Sequence, residues 1–291
     1  MRDFLKLHLV VVLWGFTAVL GNLIDLSAAQ VVFIRSSLAA LILAVMLRRF
    51  LIIDRRLAMA LIGNGMLLGA HWVLFFLAVK ISTVSICMVG MATVSFWTAV
   101  LEPMMIAKQR WQGVNLILGL VVVGGVYLIY RGETQFHAGI VVASLSALLA
   151  CVFSIFNGGL SGHAGERVIV MYEMAGSAIF CALALGLSEY FGWGLASDRW
   201  FPTLWEWGWI AILVLACTIY AYQVYVELLK RLSVFTINFA NNLEPVYGIL
   251  LGSLLFRDHQ RMGASFFAGT AIIVVAVIAQ PWLERRQRQR R

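Results

Sequence analysis

The chain has 291 residues, of which 62% are hydrophobic and only 12% charged, with a formal net charge of +8. A soluble domain carries roughly 25% charged residues and must cover itself with polar groups, so this composition excludes a soluble globular fold and places the chain in lipid. The positive balance does not indicate nucleic acid as a partner, because no basic stripe with interleaved aromatics lies on a polar segment.

About 20 apolar residues suffice for a helix to cross the hydrocarbon core. Ten such spans follow in chain order, at 5–24, 29–47, 57–79, 83–106, 112–130, 138–157, 167–190, 207–229, 234–256 and 262–280. The first has Arg2 and Lys6 ahead of it and Ser27-Ala28-Ala29 behind it, the outline of a signal peptide. It is nevertheless long enough to span, and its loss would break the symmetry described below, so it is expected to be retained. The links are short except for Gly192 to Glu206, which holds Trp193, Trp200 and Trp205, residue types that anchor span ends at the interface. Cys87, Cys151, Cys181 and Cys217 each lie inside a span without ligand or disulfide spacing, so no metal or other cofactor is expected.

Charge sets the expected orientation. With the N-terminus in the cytoplasm, Lys80, Arg131, Arg199, Arg257 and Arg261 fall in outside links and Arg35 within a span; the other sixteen of the 22 Lys and Arg are inside. That bias predicts both termini in the cytoplasm. The dense cluster Arg285, Arg286, Arg288, Arg290 and Arg291 reads as a solvated end beside anionic lipid, with a specific lipid site as the alternative.

The two halves repeat. Lys80-Ile81-Ser82 opens the fourth span as Arg231-Leu232-Ser233 opens the ninth, and Gly113 and Gly119 in the fifth match Gly263 and Gly269 in the tenth. Five is an odd number, so the second unit enters the membrane inverted. The expected fold is therefore an all-α membrane protein of ten transmembrane helices in two inverted five-helix repeats, residues 1–132 and 133–291. Such repeats build many secondary transporters, whose site lies between them near the bilayer midplane. Glu102-Pro103 and Glu244-Pro245 look like copies, but the repeat offset puts Glu102 opposite Gly252.

Ionisable residues within the membrane are costly and usually functional. Glu244 lies near the middle of the ninth span beside Asn238, Asn241 and Asn242, and Pro245 is expected to kink that helix. Two readings stand for Glu244: a carboxylate that carries a proton or binds an amine, or a structural salt bridge or interhelical hydrogen bond. Arg35, two turns into the second span, is suited to a carboxylate of the substrate, to snorkelling or to pairing with an acid. His71, Trp72, Trp97 and Trp14 fall near mid-depth. The tryptophans suit stacking against flat or amine ligands or plain packing, and His71 an interhelical hydrogen bond or a proton. Tyr222 and Tyr225 share a face of the eighth span, as substrate contacts or as ties between helices. Glu173 and Glu102 lie toward the cytoplasmic ends, where hydration or a nearby base would account for them. Gly65 with Gly69 and Gly248 with Gly252 suit close helix packing.

Leu13-Trp14-Gly15, the segment Ala78 to Ser82, Leu243-Glu244-Pro245-Val246, and Gly113 and Gly263 together resemble the ten-helix EamA-type branch of the drug/metabolite transporter superfamily. Where that family often has Gly-Glu before its fifth and tenth helices, this chain has Ala107-Lys108 and Arg257-Asp258. The resemblance implies a bacterial inner-membrane carrier working by alternating access. Its expected substrate is an amino acid, an amine or a related metabolite, exported, driven by protons, with Glu244 as the proton-coupling residue, or by the solute's own gradient, and with oligomeric state open. A sugar or nucleotide-sugar carrier is the alternative. Trp14, Arg35, His71, Trp97, Tyr222, Asn238, Asn242 and Glu244 are the candidate substrate-binding residues. An intramembrane enzyme or a channel ranks below these, since neither HExxH nor Gly-x-Ser-x-Gly occurs, and the lack of a Walker loop speaks against ATP drive within the chain.

Overall fold

The computed structural model describes residues 2–48, 52–106, 109–232 and 234–289, and every regular element among them is helical. In chain order these are α1 (Arg2–Leu23), α2 (Ala28–Leu47), α3 (Arg55–Ile81), α4 (Val84–Met91), α5 (Val94–Met105), α6 (Gly113–Gly132), α7 (His137–Leu160) and α8 (Glu166–Phe191). Then follow α9 (Leu204–Val214), a π-helical turn (Leu215–Tyr220), α10 (Ala221–Leu229), α11 (Val234–Ala240), a 3₁₀ turn (Asn241–Leu243), α12 (Glu244–Phe256) and α13 (Ala264–Gln289). With α4–α5 and α9–α10 each taken as continuous, eight helical segments among the described residues are long and apolar enough to cross a membrane; Glu244–Phe256 and Ala264–Ala279 are shorter apolar helices.

Polar residues at the span ends fix where helices begin. Ser27 and Gln30 form a capping box at the start of α2, and Thr203 and Glu206 form another at α9. Each satisfies backbone N–H groups that a helix start leaves open. Asp258 replaces the Glu typical of the resembled family before the tenth span, and its carboxylate accepts from the Ser85 N–H at 3.0 Å, closing the start of α4. The expected kink at Pro245 falls just before it, in the 3₁₀ turn. Pro245 itself occupies the first turn of α12, where a missing N–H leaves no partner unmet. Two interruptions had no sequence signal: the break between α4 and α5 at Ala92-Thr93, and the π turn.

Charged links lie on two faces. At the face carrying the N-terminus, Lys6 bonds Glu227 at 2.9 Å, Arg231 reaches Asp3 at 3.1 Å and Lys230 reaches Glu166 at 2.6 Å. At the opposite face Glu206 takes Arg199 at 2.7 Å and the Asp25 N–H at 2.7 Å, so the long link is clipped over the α1–α2 turn. Large apolar side chains such as Leu41, Val45, Ile117, Leu254 and Val275 remain exposed, as helix faces toward acyl chains require.

Inside, α3 packs on α7 and α8, α2 on α8, α6 on α13, and α4 on α12. The α3–α8 crossing depends on small residues. A Cβ at Gly65 would collide with the backbone of Glu173, and one at Gly176 with the Ile62 carbonyl. Gly65→Val is therefore expected to destabilise the protein by about 1–3 kcal/mol or more through overpacking. Gly63→Ala, whose new methyl would meet nothing within 4 Å, should leave stability unchanged. Thermal midpoints of the two variants in detergent check this.

Candidate functional site

One pocket near the middle of the helices gathers side chains from seven of the membrane segments, Met91 and Val94 of α4–α5 among them. Trp14 and Thr17 of α1, Arg35 of α2, His71 and Trp72 of α3, Ser154 of α7, Tyr222 and Tyr225 of α10, Asn241 of the 3₁₀ turn and Glu244 of α12 line a cavity of about 60 Å³. In this state it has room for little more than a pair of waters. Gly15 allows the approach that builds it: a Cβ there would press on Tyr247 Cβ and the Glu244 carbonyl, so a bare glycine lets α1 and α12 meet and brings Trp14 and Glu244 to one cavity. The Leu13-Trp14-Gly15 motif thus has a packing reason.

The walls are aromatic. Tyr222 lies with ring centroids 5.1 Å from Trp14, 5.3 Å from Trp72 and 5.8 Å from Tyr225, and Phe153 sits 6.3 Å away. Rings at such spacings attract one another edge to face, and their π faces attract cations. The Tyr225 hydroxyl is tied to Ser154 at 2.7 Å, so it joins α10 to α7. His71 is held similarly: its Nδ1 lies 2.8 Å from Ser146 Oγ and 3.0 Å from the Ser146 carbonyl.

Arg35 is only 1% exposed. Its Nε and one terminal nitrogen donate to Thr218 Oγ1 at 3.1 and 2.7 Å, and its guanidinium lies 3.7 Å from the Trp72 ring centroid. Thr218 reaches that position because the π turn carries it, its hydroxyl donating to the Leu213 carbonyl at 2.7 Å. Such single π turns recur at functional sites. Arg35 does not snorkel, and no acid pairs with it among the described residues. A buried cation costs several kcal/mol, while a desolvated cation–π contact returns about 2 kcal/mol. The remaining terminal nitrogen has no hydrogen-bond partner, nor have Trp14 Nε1 and Asn241 Oδ1 in the same lining. The pocket thus holds unused donors, an unused acceptor, a cation and a carboxylate. Glu244 forms no ion pair among the described residues.

Five of the eight residues expected at a site from sequence come together here: Trp14, Arg35, His71, Tyr222 and Glu244. Trp97 is absent from the lining and packs on Phe96 with centroids 5.2 Å apart. The side chains of Asn238 and Asn242 lie outside the described residues. Thr17, Trp72, Ser154, Tyr225 and Thr218 were not among those eight. Trp72 and Tyr225 each neighbour an expected residue, while Thr218 had no signal without the π turn. Glu173 corrects a simpler expectation. It is fully buried rather than hydrated, and it is bonded to Asn64 and Asn157 rather than to a base. Glu102 is also buried, at 4% exposure. A second cavity, of about 810 Å³, lies toward the N-terminal face and is lined in part by Asn64, Glu102, Gln109, Phe156 and Leu229.

The Tyr225–Ser154 tie is measurable. Tyr225→Phe and Ser154→Ala are each expected to cost about 1 kcal/mol of stability, and the double variant less than their sum, because the two changes remove the same hydrogen bond. A double-mutant cycle on the thermal midpoint reads this.

Compared with known proteins, the chain is similar to a protein of solved crystal structure over 98% of each chain, with a TM-score of 0.68 at 15% identity, a likeness of fold. No curated protein matches it. Residues 137–279 match the EamA-like transporter family. That match supports membership of the drug/metabolite transporter superfamily, and with its apolar helices the chain is a multi-pass membrane protein.

Proposed function

We propose that the protein is a secondary carrier for an amino acid or related amine, working by alternating access across a bacterial inner membrane with both termini in the cytoplasm. The single observation that carries this reading is the central pocket, where a buried arginine with an unused donor and a carboxylate without a counter-ion among the described residues share aromatic walls. Arg35 suits the carboxylate of a zwitterion, and Glu244 with the rings of Trp14 and Tyr222 suits its ammonium. Glu244 binds substrate or proton in turn, which couples export to the proton gradient.

The architecture supports two inverted units, 1–132 and 133–291, with α11–α12 and α13 as ninth and tenth crossings. The α4–α5 break at Ala92-Thr93 and the Asn241–Leu243 turn stand about as far apart in the chain as Lys80 and Arg231 do. Equivalent elements also pair: α6 with α13 and α2 with α8, while the halves of the fourth and ninth crossings pair reciprocally, α4 with α12 and α5 with α11. Self-pairing of equivalent elements is what an axis relating two copies produces. Interrupted helices at mid-depth, exposing backbone to a cavity, are the usual place for a substrate site in such carriers.

Counterflow into proteoliposomes, with labelled amino acids, their decarboxylated amines and sugars, tests the reading. Wild type is expected to exchange at least one amino acid. Arg35→Gln should lose it by roughly 10- to 100-fold, the worth of one charge-assisted bond, while sparing the matching amine. Glu244→Gln should abolish the response to a pH gradient. Exchange of sugars alone, or Arg35→Gln at wild-type rate, would overturn it.

A further inference from the structure

A second polar group lies in the apolar interior, about 10 Å along α8 from Glu166 at the N-terminal face. Glu173 there is fully buried. One carboxylate oxygen accepts from Asn64 Nδ2 of α3 at 2.8 Å, and the other from Asn157 Nδ2 of α7 at 3.3 Å. Among the described residues no cation bonds it. Facing it from α10 are Tyr222 and Tyr225, both within electrostatic reach of its carboxyl. From α2, Ser36 bonds Ser177 one turn further along α8. The charged residues at the start of α8 are engaged elsewhere, Glu166 with Lys230 and Arg167 with Gln223.

Two further facts make this cluster more than a structural tie. The Oδ1 atoms of Asn64 and Asn157 are both buried and both without a partner, although their residues are 4% and 0% exposed. Asn64 also lines the 810 Å³ cavity while Glu173 does not, so one amide stands between the carboxyl and that space.

We infer that Glu173, clamped by Asn64 and Asn157, is a proton-binding site distinct from Glu244, exchanging its proton with the cavity at the N-terminal face by way of Asn64. The two amides serve both charge states. Two Nδ2–H donors hold the carboxylate; rotation of either amide offers its idle Oδ1 to the hydroxyl of the acid. A purely structural carboxylate would have a fixed cation or would leave no buried acceptor idle. In the uptake step the Asn64 side chain swings aside, a hydronium ion from the cavity gives up its proton directly to the carboxylate, a Glu173 Oε–H bond forms and water remains. The inference concerns this cluster alone and holds whatever solute the central pocket takes.

Infrared difference spectra of the purified protein in lipid, recorded across a pH titration, test it without any substrate. Wild type should show the C=O stretch of a buried carboxylic acid that disappears as pH rises. That component should be lost in Glu173→Gln and retained in Glu244→Gln. Asn157→Leu, which keeps the carboxyl but removes one donor, should move the midpoint upward by about one pH unit or more. A spectrum with no component lost in Glu173→Gln, or a midpoint unmoved in Asn157→Leu, overturns the inference. Failure of amino-acid counterflow would leave the band untouched, and absence of the band would leave counterflow untouched, so the two readings fail separately.

Discussion

Hydrocarbon offers a polar side chain no water, so a buried polar group in this molecule depends on partners within the protein. Arg35 shows the consequence most fully. Its guanidinium needs Thr218, Thr218 needs the π turn to reach it, and the Trp72 face covers what remains. The same demand joins Ser154 to Tyr225, His71 to Ser146, and Glu173 to two asparagines. These bonds tie helices that are far apart in sequence, and together they enclose the centre of the molecule.

What such bonds leave over is where the proposed function is placed. A donor of Arg35, the indole N–H of Trp14 and the side-chain Oδ1 of Asn241 are unused around one small cavity, beside a carboxylate. A collection of unmet groups of both signs, in a place where unmet groups are expensive, is poorly explained by stability alone. It is well explained as half of a binding site whose other half is the solute. The cavity of about 60 Å³ is too small for a metabolite, so the proposed loading would require the surrounding helices to part, the motion that the proposed alternating access needs.

The span positions were legible because hydropathy reports the bilayer directly, and eight predicted spans coincide with helices to within a few residues. Mid-membrane charges were legible for the same reason, so Arg35 and Glu244 stood out before any geometry was known. Partnership was not legible. Nothing around Leu215–Tyr220 announces a π turn, so Thr218 could not be matched to Arg35. Likewise nothing near Glu173 says that Asn64, over a hundred residues earlier, would meet it. Pro103 lies inside an unbroken α5, while the real interruption at Ala92-Thr93 holds no proline. Trp97, at the right depth, turned to Phe96 instead. Depth is written locally in the chain, but rotation about a helix axis is set by its neighbours.

The central claim is that one pocket at mid-depth is the solute's site and opens to each side in turn. Asn241→Cys puts a thiol in that lining, against a background in which Cys87, Cys151, Cys181 and Cys217 are all buried. Membrane-impermeant thiol reagents, applied to right-side-out and to inverted vesicles, then read its access from each side. The account predicts labelling from both sides, slowed in both by saturating transported solute. Labelling from one side alone whatever the solute, or none from either, would contradict it.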